Sequence, residues 1–412
     1  MRQTPRLLGE PNIPALRGLT ALCAIVLVFV SCGQLAQCSA EREVVTGNQG
    51  PFPAALGTGA PTRVTHLPHR PAALVHGLAI DTTDAGVRAL NARTGDEYWR
   101  FERRDRGAGR PSVGASGDTV VAWFEDGKVV AVDVRTGNVR WRAHLSRGGS
   151  PWAEVHVGAG QAVVQSSRDV VSFSERSGKE RWKLKPSRFC EGAFPREIRD
   201  FAEHLTGIEM GCAKDSYRSP LVGVDNRTGA ELWKRHVPAQ PEQADSHTLV
   251  MEEADRIQIR EVDRKSTRRR ALLPDRSSSL DGAGNGVILC SKQFESPGNA
   301  GANALTGYDA RAGKRLWGRQ AGAGHSFGLA KIADGRVYVV RNSLIPTGDP
   351  RRFLHADLLV LDAHSGDLLH TMRLPTMKVP RGERVTDLWV HEADDGAVLL
   401  GWIEGPDVFA VS

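Results

Sequence analysis

The signatures that announce chemistry are missing from this sequence. No two cysteines are adjacent, and no Cys-x-x-Cys-His segment marks haem attachment. No glycine-rich phosphate loop or nucleophile elbow is evident, so nucleotide hydrolysis and serine-type acyl transfer have no local support. Long apolar runs are scarce as well. The run Gly18 to Ser31 is short of the roughly 17–25 residues that cross a bilayer as a helix, and suits the core of a signal peptide. Charge of one sign is not in excess: 54 Lys and Arg against 48 Asp and Glu leave +6 over 412 residues. That balance permits contact with anionic surfaces and does not call for nucleic acid.

What is present is a repeated segment. VVAVDVRTGNVRW (Val129 to Trp141) is a short alternating run, an Asp, a tight turn at Arg135-Thr136-Gly137, and a second run carrying Trp141. The shape recurs from Val87 to Trp99, Val170 to Trp182, Pro220 to Trp233 and Ala304 to Trp317, and from Asp357 to His370 with His in the Trp place. Period-two alternation makes each run a strand with one inward face. The turn needs a residue that accepts positive φ, which Gly supplies, and the Asp can bond amides across the bend as in an Asx turn. Each Trp can bury about 150–250 Å², on the order of 4–6 kcal/mol at most.

Spacing then sets the architecture. The turn position falls at Asn91, Asp133, Ser174, Asp225, Asp309 and Asp362, with one double-length interval between Asp225 and Asp309. Ile257 to Leu273 fills it, with Asp263 at the turn position, Thr267 replacing Gly and Ala271 replacing Trp. A period of roughly 40–50 residues built only from strand-like runs is that of propeller blades, whereas helical solenoids would need helical periodicity in the same places. An upstream pair of runs, as in Ser112 to Gly127, brings each unit to about four strands. Thr386 to Ala393, Ala397 to Gly405 and the final DVFAVS supply an eighth unit, with Ser412 at the turn position. Its missing strand is expected from the N-terminal side, near Gly57 to Leu67. The expected fold is all-β: an eight-bladed β-propeller of four-stranded blades, closed by an N-terminal strand that completes the last blade.

Three regions follow: 1–40 as signal or anchor, 41–60 as a flexible Gly/Pro-rich linker, and 61–412 as the propeller. Three readings of the first region stay open. Ser31-Cys32-Gly33 resembles a lipoprotein cleavage site with Cys32 lipidated; cleavage could follow Ala40; or the segment is kept as an anchor. All three place the bulk of the protein outside the cytoplasm, membrane-anchored or secreted. An oxidising compartment favours a disulfide between Cys190 and Cys212, which flank what reads as an insertion in the fourth unit; two buried thiols on unpaired strands are the alternative. Within that insertion, residues 195–205 could form one or two helical turns, and Cys290 reads as a core thiol. His66, His69 and His76 match no ligand spacing and read as surface histidines. His391-Glu392 with Asp394-Asp395 could hold a hard cation but reads better as a polar strand connection. Arg268-Arg269-Arg270 reads as a solvated blade edge that discourages strand pairing, ahead of a site for anionic lipid or wall polymer.

The turn-and-Trp signature resembles the repeats of pyrroloquinoline-quinone (PQQ)-type β-propellers, an eight-bladed superfamily that includes quinoprotein alcohol dehydrogenases and an outer-membrane assembly lipoprotein. The resemblance covers about residues 71–412; WD-type and kelch-type signatures are absent. It implies that Trp99, Trp141, Trp182, Trp233 and Trp317 dock between neighbouring blades. It implies no enzyme, because the adjacent cysteines, calcium ligands and catalytic Asp of the dehydrogenases have no counterpart here. No catalytic, cofactor-binding or metal residue is assigned, and PQQ and calcium enter by family analogy alone. The leading expectation is a non-catalytic, membrane-tethered extracytoplasmic scaffold, monomeric, binding a protein or cell-envelope partner. A PQQ-dependent dehydrogenase and a ligand-sensing domain are the alternatives.

Overall fold

A computed structural model describes residues 43–47, 50–53, 61–104, 109–145, 154–166, 169–189, 194–202, 204–212, 219–237, 241–253, 256–263, 267–273, 278–293, 302–343, 353–378, 388–394, 397–402 and 408–411. The signal region with Cys32, and Cys190, lie outside them. Among the described residues the chain is all strand but for one short 3-10 turn, Pro186–Arg188, and no helix is long and apolar enough to cross a membrane.

Antiparallel pairing groups most of the described strands into eight units, with the short pair Phe353–Leu354 and Met377–Lys378 standing apart. Unit 2 is typical: Ser112–Ser116 is innermost, followed by Thr119–Trp123, Lys128–Asp133 and the outer strand Val139–His144. Units 6 and 7 share one continuous path, joined only by the pair Ala302↔Phe327. Unit 8 takes Leu388–Ala393, Val398–Trp402 and Val408–Val411 from the C-terminal end, and its outer strand is Val64–Leu67. The register there is Val64↔Val411, Thr65↔Ala410, His66↔Phe409 and Leu67↔Val408. The strand comes from the stretch that the spacing nominated.

The units lie face to face because their middle strands are apolar on both sides. In Thr119–Trp123 every residue is buried. Val120 and Ala122 pack on unit 1, while Val121 and Trp123 pack on unit 3. Such a strand reads as a continuous apolar run, since neither face meets water. Apolar clusters of this kind join each unit to the next, and one of them returns to the start: Leu67, Ala397 and Leu399 of unit 8 pack on Leu74, Ala79 and Leu90 of unit 1. A Gly77 amide donating to Asp394 Oδ2 (3.2 Å) crosses the same junction.

Three expectations need correction. Residues 195–205 are not helical and not an insertion. Phe194–Ala202 is a strand paired with Leu205–Gly211, and together they form the inner hairpin of unit 4. Leu205–Gly211 is buried throughout, and pairing to it overrides any local helical preference. In unit 5 the turn position is Val262, not Asp263: the third strand ends at Val262, which pairs with Thr267. With neither Asp nor Gly to shape the bend, the sequence pattern slips by one place. Finally, the 41–60 stretch is more than a tether. Glu43–Thr46 is a strand on the outer edge of unit 1, in register from Glu43↔Arg103 to Thr46↔Arg100.

Candidate functional site

The recurrent motif resolves into one geometry. In unit 2, Asp133 Oδ1 accepts from the amides of Arg135 (3.0 Å) and Thr136 (2.9 Å) and from Thr136 Oγ1 (3.0 Å). Asp225, Asp309 and Asp362 make the same pair of amide contacts in their own units. The indole of the preceding unit sits on this turn. Trp99 Nε1 donates to Val134 O (2.6 Å), Trp141 to Glu175 O (2.6 Å), Trp182 to Asn226 O (3.0 Å), Trp233 to Asp263 O (3.2 Å) and Trp317 to Ala363 O (2.8 Å). Each acceptor stands one residue after the turn position, so the indole N–H finds its partner, and in every case but Trp233 the ring also covers the turn's glycine.

That glycine is required twice over. Gly366 has φ 73°, and a Cβ there would lie 2.5 Å from the Trp317 ring. In unit 5, where Ala271 replaces Trp, the next glycine (Gly313) faces Ala271 instead. In unit 8, Thr65 takes the place of the indole, lying over Gly95 and donating to Arg93 O (2.7 Å). One further requirement escapes the motif as first read. The residue paired with each indole across the strand is small: Ala89, Ala131, Ser172, Gly223 and Gly307. It stands ten places before the Trp every time, a signal that was available in the sequence. His370 pairs with Val360, and the unit after it has no third-to-fourth-strand turn, because its outer strand arrives from the N-terminus. An indole at 370 would have neither room nor a receiving turn.

Three carboxyls whose pKa is raised by burial lie along the inner strands, each with a hydrogen-bond donor beside it. Glu154, just before Val155–Gly158, accepts from the Ile198 amide of unit 4. Burial, then the nearby Glu197 charge, pushes its pKa up to about 7. Beside it, His156 Nε2 meets Asp200 Oδ2 at 3.0 Å, and Arg199 bridges Glu197 (2.5 Å) and Glu242 of unit 5 (3.5 Å). Asp281 of unit 6 is buried and accepts from Ser291 Oγ (2.6 Å); burial lifts it to about 7 against that bond and the Lys331 charge. Glu392 of unit 8 accepts from the Leu74 amide of unit 1, and burial again lifts it to about 7. Its neighbour His391 is driven down to about 4 by burial and by Arg70 and Lys331. Trp389 Nε1 donates to His391 Nε2 (2.8 Å), which requires that nitrogen to be unprotonated, so geometry and charge agree.

No group of three or more His, Cys, Asp or Glu among the described residues could hold a metal ion. His66 is exposed on the closing strand, His69 is exposed beyond it, and His76 is the first residue of a two-residue hairpin turn with φ 49°. Arg268, Arg269 and Arg270 are exposed on the outer strand Thr267–Leu272. Cys290 is a buried thiol outside any disulfide, and Cys212 is disulfide-bonded. An open cavity of about 390 Å³ lies among the turns of units 5, 6 and 7, lined by Asp245, Asn285, Gly286, Asp309, Arg311 and His364. Asp309 there is occupied by its own turn, and Arg311 stands 3.8 Å from Asp245.

Residues 73–166 match the family model described as outer membrane protein assembly factor BamB. No curated protein matches the sequence. The C-terminal WD40 domain of Sif2 is similar with a TM-score of 0.51 at 10% identity, over 86% of this chain and 99% of that one. The computationally designed Ika8 protein gives 0.50 at 14%, over 88% and 100%. BamB from Moraxella catarrhalis gives 0.48 at 14%, over 86% and 99%. With four-stranded units stacked in succession, the chain is a β-propeller, and within it residues 73–166 are similar to the PQQ-type repeat model.

Proposed function

We propose that this propeller is a non-catalytic scaffold that binds a protein partner of the cell envelope outside the cytoplasm, held at a membrane by its N-terminal segment. One observation carries the reading. The three carboxyls with raised pKa, which in an enzyme would be the first candidates for acid–base work, are spent on holding strands together. Glu154 and Glu392 each accept an amide of the next unit, and Asp281 accepts a serine of its own unit. With these carboxyls tied to backbone and serine donors, the propeller presents surface rather than reactive groups. The apolar Gly18 to Ser31 run with Cys32 behind it supports export and tethering, and Cys190 is the proposed disulfide partner of Cys212.

Crosslinking in intact cells tests the reading. The wild type and the triple variant Glu154→Gln, Asp281→Asn, Glu392→Gln are expected to capture the same partner. Loss of capture by a variant that stays folded would point to chemistry at the inner wall. Dye reduction on adding PQQ and calcium would do the same. Mass spectrometry of the mature N-terminus decides between lipidation at Cys32, cleavage after Ala40 and a retained anchor.

A further inference from the structure

Strand edges facing solvent invite another strand, and proteins guard them with charge. The outer strands of units 2 to 6 follow that rule, with exposed Arg140, Arg142, Lys183, Lys234, Arg268 and Arg315. Unit 7 does not. Its outer strand, Leu368–Arg373, begins with Leu368 and Leu369, which are 46% and 53% exposed, the most exposed large apolar side chains among the described residues. No strand lies beyond it among the described residues.

Unit 1 shows what such an edge accepts. Its outer strand, Glu97–Arg103, carries Tyr98, Trp99 and Phe101 among four charged residues, and it is covered by the chain's own Glu43–Thr46 in antiparallel pairing. Phe52 then packs edge-on against Tyr98 (5.9 Å between ring centres), with Arg135 of unit 2 over its other side at 4.2 Å. Tyr98 immediately precedes its unit's Trp, the position that Leu369 holds before His370. The covering segment is thus an extended stretch of β-branched residues led by an acid, with an aromatic shortly after it.

We propose that the outer edge of unit 7 is the docking site for an extended segment of a partner protein with that same chemistry. The segment adds as a fifth strand along Leu368–Arg373 and lays apolar side chains over Leu368 and Leu369. The inference rests on the scaffold reading and specifies how its partner is held. Backbone pairing supplies the attraction, and the two leucines select for apolar neighbours.

The test uses the full chain and, as probe, a synthetic peptide with the sequence of residues 41–53. Added in excess, it is expected to slow amide exchange in Leu368–Arg373, and Leu368→Lys with Leu369→Lys should weaken binding at least tenfold. Leu316→Lys on unit 6 should leave it unchanged. Protection confined to other strands, equal binding by the double lysine variant, or no protection at millimolar peptide would overturn the proposal. A photo-crosslinker at Thr371 in intact cells separates it from the reading beneath it. An adduct with another protein supports both, and an adduct with a second copy of the chain overturns the partner. Capture at other positions with 371 silent removes the edge and leaves the scaffold, whereas silence everywhere removes the scaffold as well.

Discussion

The outer strands of units 1 and 7 start from the same template and end in opposite states. In Glu97–Arg103 the Trp is fully buried, a small Ala89 stands opposite it, a turn receives it, and a further strand covers its edge. In Leu368–Arg373 the Trp is His370, a bulkier Val360 stands opposite, no turn receives it, and Leu368 and Leu369 face water. The comparison teaches that the indole belongs to a set. Wherever an indole is present, room across the strand, a turn in the next unit and an N–H acceptor accompany it, because a large polar-tipped ring is stabilising only when all three are met.

The comparison breaks first at the indoles. Trp99→Ala is expected to cost about 3–5 kcal/mol in denaturant unfolding, the range for emptying a well-packed aromatic site. His370→Ala should cost under about 1 kcal/mol, as expected for a partly exposed side chain. Equal losses would show that position 370 carries a docking role after all.

The receiving turns sharpen it next. Gly366→Ala meets both a left-handed φ and the Trp317 ring, and should cost about 2–4 kcal/mol. Gly335→Ala meets a similar φ of 72° with nothing within 4 Å, and should cost about 1 kcal/mol. Their difference measures the indole's hold on the turn.

At the inner wall the sign of the pH dependence separates clasps from turns. Glu154, Asp281 and Glu392 have folded pKa values raised to about 7. The folded state keeps their protons where the unfolded chain has released them, so stability falls as pH rises from the ordinary carboxylate range through 7. The loss is on the order of 1–3 kcal/mol per group. Asp362 is shifted the other way, chiefly by the Ser365 amide bond, so its contribution is present above the ordinary carboxylate range and disappears as pH falls through its lowered value. Unfolding followed across pH should therefore show a decline toward pH 8 that flattens in Glu392→Gln. A decline unchanged by that substitution would remove Glu392 from the account.

The smallest effect concerns the cover itself. Removing residues 43–52 should cost about 1–2 kcal/mol, since a short edge strand and one partly buried ring are lost. Faster amide exchange should be confined to Glu97–Arg103, making that edge behave like the edge of unit 7.

Much of the repeat was legible because backbone requirements are local: Gly at a positive-φ bend, Asp before it and Trp after it occupy fixed offsets. The closing strand was legible by subtraction, since the last unit lacked a partner for Val408–Val411. What escaped depends on distant neighbours. The hairpin from Phe194 to Gly211 owes its form to burial between units 3 and 5, and the slip at Val262 follows from a turn without its usual residues. The strand at Glu43–Thr46 is set by an edge more than fifty residues away. The clasps of Glu154 and Glu392 form between strands of different units, and no spacing along the chain encodes them.

Joining the two ends of the propeller domain is the central claim, and a paired cysteine substitution reads it directly. Thr65 and Ala410 are cross-strand partners in the last unit. In the folded protein Thr65→Cys with Ala410→Cys should form an intramolecular disulfide under mild oxidation, identified by peptide mapping, while Thr65→Cys with Val398→Cys should not. Failure of the first pair in soluble, folded protein, or crosslinks only between molecules, would contradict closure by Val64–Leu67.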